Sequence, residues 1–124
     1  KNSPFGLVFA DCRVTAADGA HTYLGRPWRD YARVVFVRTD MAAAVDPSGW
    51  NDWAKPEAHQ TAFYAEFAST GPGAKPAGRA PWSRQLSAQK AAAVDARRVL
   101  GGDDRWDPEH EAAAAGEAKA ANGR

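Results

Sequence analysis

The chain has 124 residues, 44% of them hydrophobic, and its 16 basic and 15 acidic side chains leave a net charge of +1. That length suits one domain or a piece of a larger one, and the balanced charge offers no basic face of the kind that holds nucleic acid. No apolar run approaches the roughly 20 residues a membrane span needs, and the opening Lys-Asn-Ser-Pro has neither an h-region nor a cleavage site.

Gly6–Ala16 reads as a strand in which Leu7, Phe9, Cys12 and Val14 are apolar. The alternation changes between Phe9 and Cys12, which predicts a bulge or slight bend there. The single cysteine, Cys12, reads as a small buried hydrophobe. No Cys/His cluster has metal-ligand spacing, so neither a metal nor a cofactor is expected. Asp18-Gly19 marks a turn. Arg33–Thr39, rich in β-branched residues, is the clearest strand. Thr61–Phe67 alternates, with Phe63, Ala65 and Phe67 on one face and Tyr64 and Glu66 on the other.

These strands start near Leu7, Val34 and Ala62, a spacing of about 27 residues that lies in the range of repeat architectures. Long irregular connections rich in Gly, Pro, Trp and Asp join them. The combination fits an all-β parallel β-helix better than a sandwich, whose turns recur every 8–12 residues or so. After Pro81 the character changes. Ser87 is a candidate N-cap for a short helix over Ala88–Leu100, ended by Gly101-Gly102. Leu86, Leu100 and Trp106 are expected to fold this segment back onto the body. The stretch 109–124 is Ala/Glu/Lys/Gly low complexity with little to bury, so it reads as a frayed tail outside the domain at 1–108.

Tyr-Leu-Gly-Arg-Pro-Trp at Tyr23–Trp28 is the most informative segment. Pro27 fixes φ between Arg26 and Trp28, so both side chains leave a stiff piece of backbone. A guanidinium offers a planar fork to a carboxylate, and an indole face can lie on the apolar face of a pyranose ring. Together they suit an acidic sugar. The same residues would also serve as a structural arginine paired with a buried acid beside a core tryptophan.

With Gly-Trp-Asn-Asp-Trp at Gly49–Trp53 and Gly-Pro-Gly-Ala at Gly71–Ala74 downstream, the chain resembles the C-terminal part of pectin methylesterases. Tyr64-Ala-Glu-Phe resembles that family's Tyr-x-Glu-Tyr, with Phe67 replacing the usual Tyr. Arg79-Ala-Pro-Trp82 resembles its Arg-Val-x-Trp. Val99-Leu-Gly-Gly with Trp106-Asp-Pro resembles the C-terminal close of bacterial members. The resemblance runs from about Gly6 to Pro108. It implies the C-terminal coils of a right-handed parallel β-helix, a secreted hydrolase acting on methyl-esterified polygalacturonate, and a monomer at full length. It also implies that Arg26 orients a nucleophilic Asp, and that Trp28, Trp53 and Tyr31 line the sugar cleft. Trp50 is expected to pack inside.

In that family one Asp attacks the ester carbonyl. A second Asp protonates the departing methanol and then activates water, and Gln side chains stabilise the oxyanion. The segments carrying them, Gln-Asp-Thr-Leu and Asp-Phe-Ile-Phe-Gly, do not occur here. Asp11, Asp30, Asp40, Asp46 and Asp52 read instead as surface residues. His21, His59 and His110 are scattered and receive no catalytic role. The expectation is therefore a C-terminal piece of a longer esterase that supplies the substrate-binding side of a cleft. The competing expectations are a non-catalytic module for acidic polysaccharide and a structural β-solenoid. A pectate lyase on the same fold is disfavoured by the absence of a clustered-carboxylate calcium site.

Overall fold

A computed structural model describes residues 4–113. Four parallel strands form the main sheet in the order β1 (Leu7–Ala10), β3 (Arg33–Val37), β5 (Phe63–Phe67) and β6 (Arg84–Gln85). A second parallel sheet pairs β2 (Arg13–Val14) with β4 (Asp40–Met41), and an Asp40↔Thr70 bridge continues it. A third side is stitched by the parallel bridges Thr22↔Val45 and Gly25↔Trp50. Leu7 pairs with Val34 and Val34 with Tyr64, so each turn of chain lies directly on the last. The result is a stack of coils of a parallel β-helix, as the strand spacing predicts.

The predicted strand at Gly6–Ala16 is two strands. Between them Asp11 takes a left-handed φ of 54°, and Arg38 (50°) and Ala68 (50°) do the same just after β3 and β5. These three residues form one corner of the solenoid, swinging each coil from the first sheet into the second. The corner is tied by Asp11 N–H to Val37 O at 2.9 Å and by Arg38 N–H to Phe67 O at 2.8 Å. Arg38 also grips Asp11 with two bonds of 2.6 Å, 27 residues apart in the chain. The Arg38 bond holds the Asp11 carboxyl below its ordinary range.

Both faces of β3 are covered, which is why Arg-Val-Val-Phe-Val shows no alternation. Val34 and Phe36 face the lumen with Met41, Val45, Trp50 and Tyr64. Phe9 stacks on Phe36 at 4.5 Å and 10°, because the two are register partners in adjacent coils. Val35, Val37 and Ala65 face the other way and are covered by Leu86 and Val94 from the C-terminal segment. In β5 Tyr64, Ala65 and Glu66 are buried, and Phe63 and Phe67 are half-buried on the outer side with Ala65.

The lumen contains an ion pair. Arg79 donates from Nε to Glu66 Oε1 at 2.7 Å and from Nη2 to Glu66 Oε2 at 3.1 Å. It also donates to the carbonyl oxygens of Gly73 (2.8 Å) and Pro47 (3.2 Å). Gly49, at φ +68°, makes room for it: a Cβ there would lie 2.6 Å from Arg79 Cδ.

Three expectations for the C-terminal segment need correction. The predicted single helix is two, α1 (Ala88–Ala91) and α2 (Ala96–Leu100). Ser87 caps the first as expected, but Asp95 caps a second start by accepting from Arg98 N–H at 2.7 Å. The break lets Val94 reach the sheet. Leu86 packs on the body, whereas Leu100 and Trp106 remain 50% and 42% exposed, so they do not anchor the segment. Residues 108–113 are helical where a frayed tail is expected, with the Asp107 carboxylate accepting from the N–H groups of Glu109 and His110; the rest of that stretch, 114–124, lies outside the described residues. Cys12 is half-buried, its Sγ 3.3 Å from Ala10 O.

Candidate functional site

The third side of the solenoid carries the motif. Leu24 N–H donates to Gly49 O at 2.7 Å and Asn51 N–H to Gly25 O at 3.1 Å. Those bonds set Tyr23–Trp28 directly against Gly49–Trp53. Pro27 is fully buried between Arg26 and Trp28, which are both exposed. A buried proline with a fixed φ thus anchors the segment and turns its two neighbours outward.

Trp53 meets Trp28 across the coils. The ring centroids are 5.0 Å apart with planes tilted by 42°, and the two rings are 40% and 68% exposed. A pair of large, open aromatic faces is uncommon on a protein surface unless something covers it. Arg26 Cζ stands 5.6 Å from the Trp53 ring centroid. Tyr31, 47% exposed, lines a neighbouring groove of about 490 Å³ together with Trp28, Arg29, Asp30, Ala32 and Lys55. All four residues singled out by the motif therefore fall on one side of the molecule. Trp50, 2% exposed, packs inside between Phe36 and Tyr64, as expected.

The turn presenting Trp53 is held in an unusual conformation. Trp53 and Ala54 both have left-handed φ, 56° and 54°, which costs about 1–2 kcal/mol per non-glycine residue. Two side chains compensate. Asn51 Oδ1 accepts from Trp53 N–H at 2.7 Å, and Asp52 Oδ1 accepts from Ala54 N–H at 3.0 Å. Asp52 Oδ2 lies 3.1 Å from His59 Nε2, and His59 stacks on Trp82 at 4.8 Å and 11°. The series Trp82–His59–Asp52 therefore braces the Trp53 turn from behind. Asp52 and His59 read in the sequence as a surface acid and a scattered histidine. Their supporting role was detectable only in the Asn-Asp pair, whose short side chains stabilise left-handed turns.

Four further acids are held by partners of their own. Asp40 pairs with Arg13 at 3.1 Å and Asp11 with Arg38. Asp46 accepts from the hydroxyl and the N–H of Ser48 and lies 2.8 Å from His21, and these contacts, Ser48 first, hold its carboxyl below the ordinary range. Glu66 is committed to Arg79. Buried acid and arginine do pair in this chain, but the arginine is Arg79. Arg26 makes no ion pair or hydrogen bond among the described residues, and its side chain is exposed beside Trp53.

The pectinesterase family model matches residues 1–103. The chain is 46% identical over 88 residues to "Probable pectinesterase/pectinesterase inhibitor 17" of Arabidopsis thaliana, covering 65% of this chain and 17% of that relative. It is 39% identical over 88 residues to "Pectinesterase 2" of Citrus sinensis, with the same two coverages. Among solved structures it is similar to a pectin methylesterase from carrot, with a TM-score of 0.72 and 28% identity over 80% of this chain and 34% of that one. The chain thus spans about a sixth of the length of those two relatives and about a third of the carrot structure. A coil stack presenting Arg26, Trp28 and Trp53 on one side, matched by the family model over most of its length, belongs to the pectinesterase family.

Proposed function

We propose that this chain forms the substrate-binding side of a cleft in which methyl esters of pectin galacturonate are hydrolysed, in an enzyme acting outside the cell as a monomer. The observation that carries the reading is the meeting of Trp28 and Trp53 at 5.0 Å beside the unpaired guanidinium of Arg26. The two indoles give a sugar ring an apolar wall. Arg26 gives a carboxylate a bidentate partner, and in this reading that carboxylate is the nucleophile of the esterase. Its orienting fork would fix the attacking oxygen relative to the ester carbonyl. Tyr31 extends the wall along the groove.

The nucleophile, the second acid and the oxyanion donors are assigned to coils preceding this stretch in the full-length relatives. Methanol release from methyl-esterified pectin tests this, measured for the chain alone and for the chain joined to the upstream coils of the carrot relative. Release by the joined protein only is the expected result. Release by the chain alone would move the nucleophile to one of its own acids, Asp30 first among them. Release by neither, with polysaccharide still bound, would favour a non-catalytic binding module.

A further inference from the structure

Trp53 and Ala54 are the two central residues of a four-residue turn. Lys55 N–H donates to Asp52 O at 3.0 Å across it, and both central φ values are left-handed. Those are the marks of a type I′ turn, which favours Gly, Asn or Asp at its centre. Here the centre is Trp-Ala. By local preference these two residues take the mirror-image type I turn, with negative φ at both. The indole leaves the backbone at the first central position, so reversing the hand of the turn re-aims the Trp53 ring relative to Trp28.

The groups that hold the disfavoured hand lie outside the two central residues. Asn51 Oδ1 accepts from Trp53 N–H, and Asp52 Oδ1 accepts from Ala54 N–H. The other Asp52 oxygen lies 3.1 Å from His59 Nε2, so the carboxylate is fixed from two sides. His59 is fixed in turn. It belongs to the 3-10 helix Pro56–Gln60, which buries Ala58. Its ring stacks on Trp82, and Trp82 meets the buried Tyr64 at 5.5 Å. A continuous series of contacts thus runs from the core at Tyr64 to the turn that presents Trp53.

We propose that Asp52 and His59 are positioning residues for Trp53. They select the left-handed turn, and through it the separation and tilt at which the two indoles stand. The consequence for ligand affinity rests on the reading of the cleft given above. Where only part of the population holds the binding-competent turn, apparent affinity falls by that fraction.

Circular dichroism tests the geometry without a ligand, because two coupled indoles give an exciton couplet. The difference between the parent chain and Trp28→Phe isolates the part due to the Trp28–Trp53 pair. His59→Phe keeps a ring on Trp82 and removes the bond to Asp52, and Asp52→Ala removes both carboxylate bonds. Each is expected to shrink that part of the couplet. Adding Ala54→Gly to either is expected to restore it, because glycine takes positive φ at no steric cost. Calorimetric titration with fully methyl-esterified trigalacturonic acid should follow the couplet. Binding is expected to weaken about fivefold in His59→Phe, the net worth of one hydrogen bond, and to recover with Ala54→Gly. A couplet unchanged in both single variants would overturn the proposal. So would a couplet lost together with a lower urea midpoint and not restored by glycine, since the two residues would then hold only the fold. A couplet that responds as expected, in a parent chain that binds no ligand, would uphold the positioning and overturn the reading of the wall.

Discussion

Arg79 engages groups from well-separated stretches of chain: the Glu66 carboxylate, the carbonyls of Pro47 and Gly73, and the Met41 sulfur at 3.5 Å. With side-chain exposures of 3% and 4%, the Arg79–Glu66 pair is out of water. Removing one partner from such a pair strands the other charge. Arg79→Leu is therefore expected to lower unfolding free energy by about 3–5 kcal/mol, read from urea unfolding. Adding Glu66→Leu should restore only part, because the Pro47 and Gly73 carbonyls still lack their donor. The sequence holds the ingredients of this pair in two separate motifs but nothing that joins them, since a register thirteen residues apart is set by the coil and not by local pattern. Arg26 and Trp28 were legible for the opposite reason. Pro27 sits between them, and its effect on the backbone is local.

At the scale of elements, the strands of the first sheet were legible because coverage on both faces leaves an uninterrupted apolar run, as in β3. The corner was legible once, at Asp11, where the alternation changes between Phe9 and Cys12 and a bend is expected. Arg38 and Ala68 give no such sign in their neighbourhoods, and there only the stacking of coils imposes the left-handed residue. Ala68 occupies that position without a side chain able to offset the strain, and it is exposed. Relieving about 1–2 kcal/mol of left-handed strain outweighs the smaller entropic cost of glycine. Ala68→Gly should thus stabilise the chain by about 0.5–1 kcal/mol, seen as a higher urea midpoint with an unchanged slope. The helix break at Val94 was illegible in the same way: Ala-rich sequence favours continuity, and burial of Val94 on the sheet overrides it.

Across the whole molecule, coils hold coils by parallel ladders, and β1 has a partner on one edge only among the described residues. Leu7, at its start, is 64% exposed. An unpaired strand edge with an apolar side chain invites another strand. The isolated chain should therefore associate as its concentration rises, and Leu7→Lys should reduce that association, with analytical ultracentrifugation as the measurement. A monomer at all concentrations would show that the β1 edge is protected.

The two paired sheets and the bridged side differ in how firmly they are tied. The first sheet runs a continuous ladder from β1 to β6, whereas the side bearing Trp28 and Trp53 is joined at single bridges such as Thr22↔Val45 and Gly25↔Trp50. Residues between Trp28 and β3, or between Trp53 and β5, can change in number without shifting a rung of that ladder. The exposed aromatic side can drift while the scaffold on the other side stays constant, so the fold separates what evolution may vary from what it must keep.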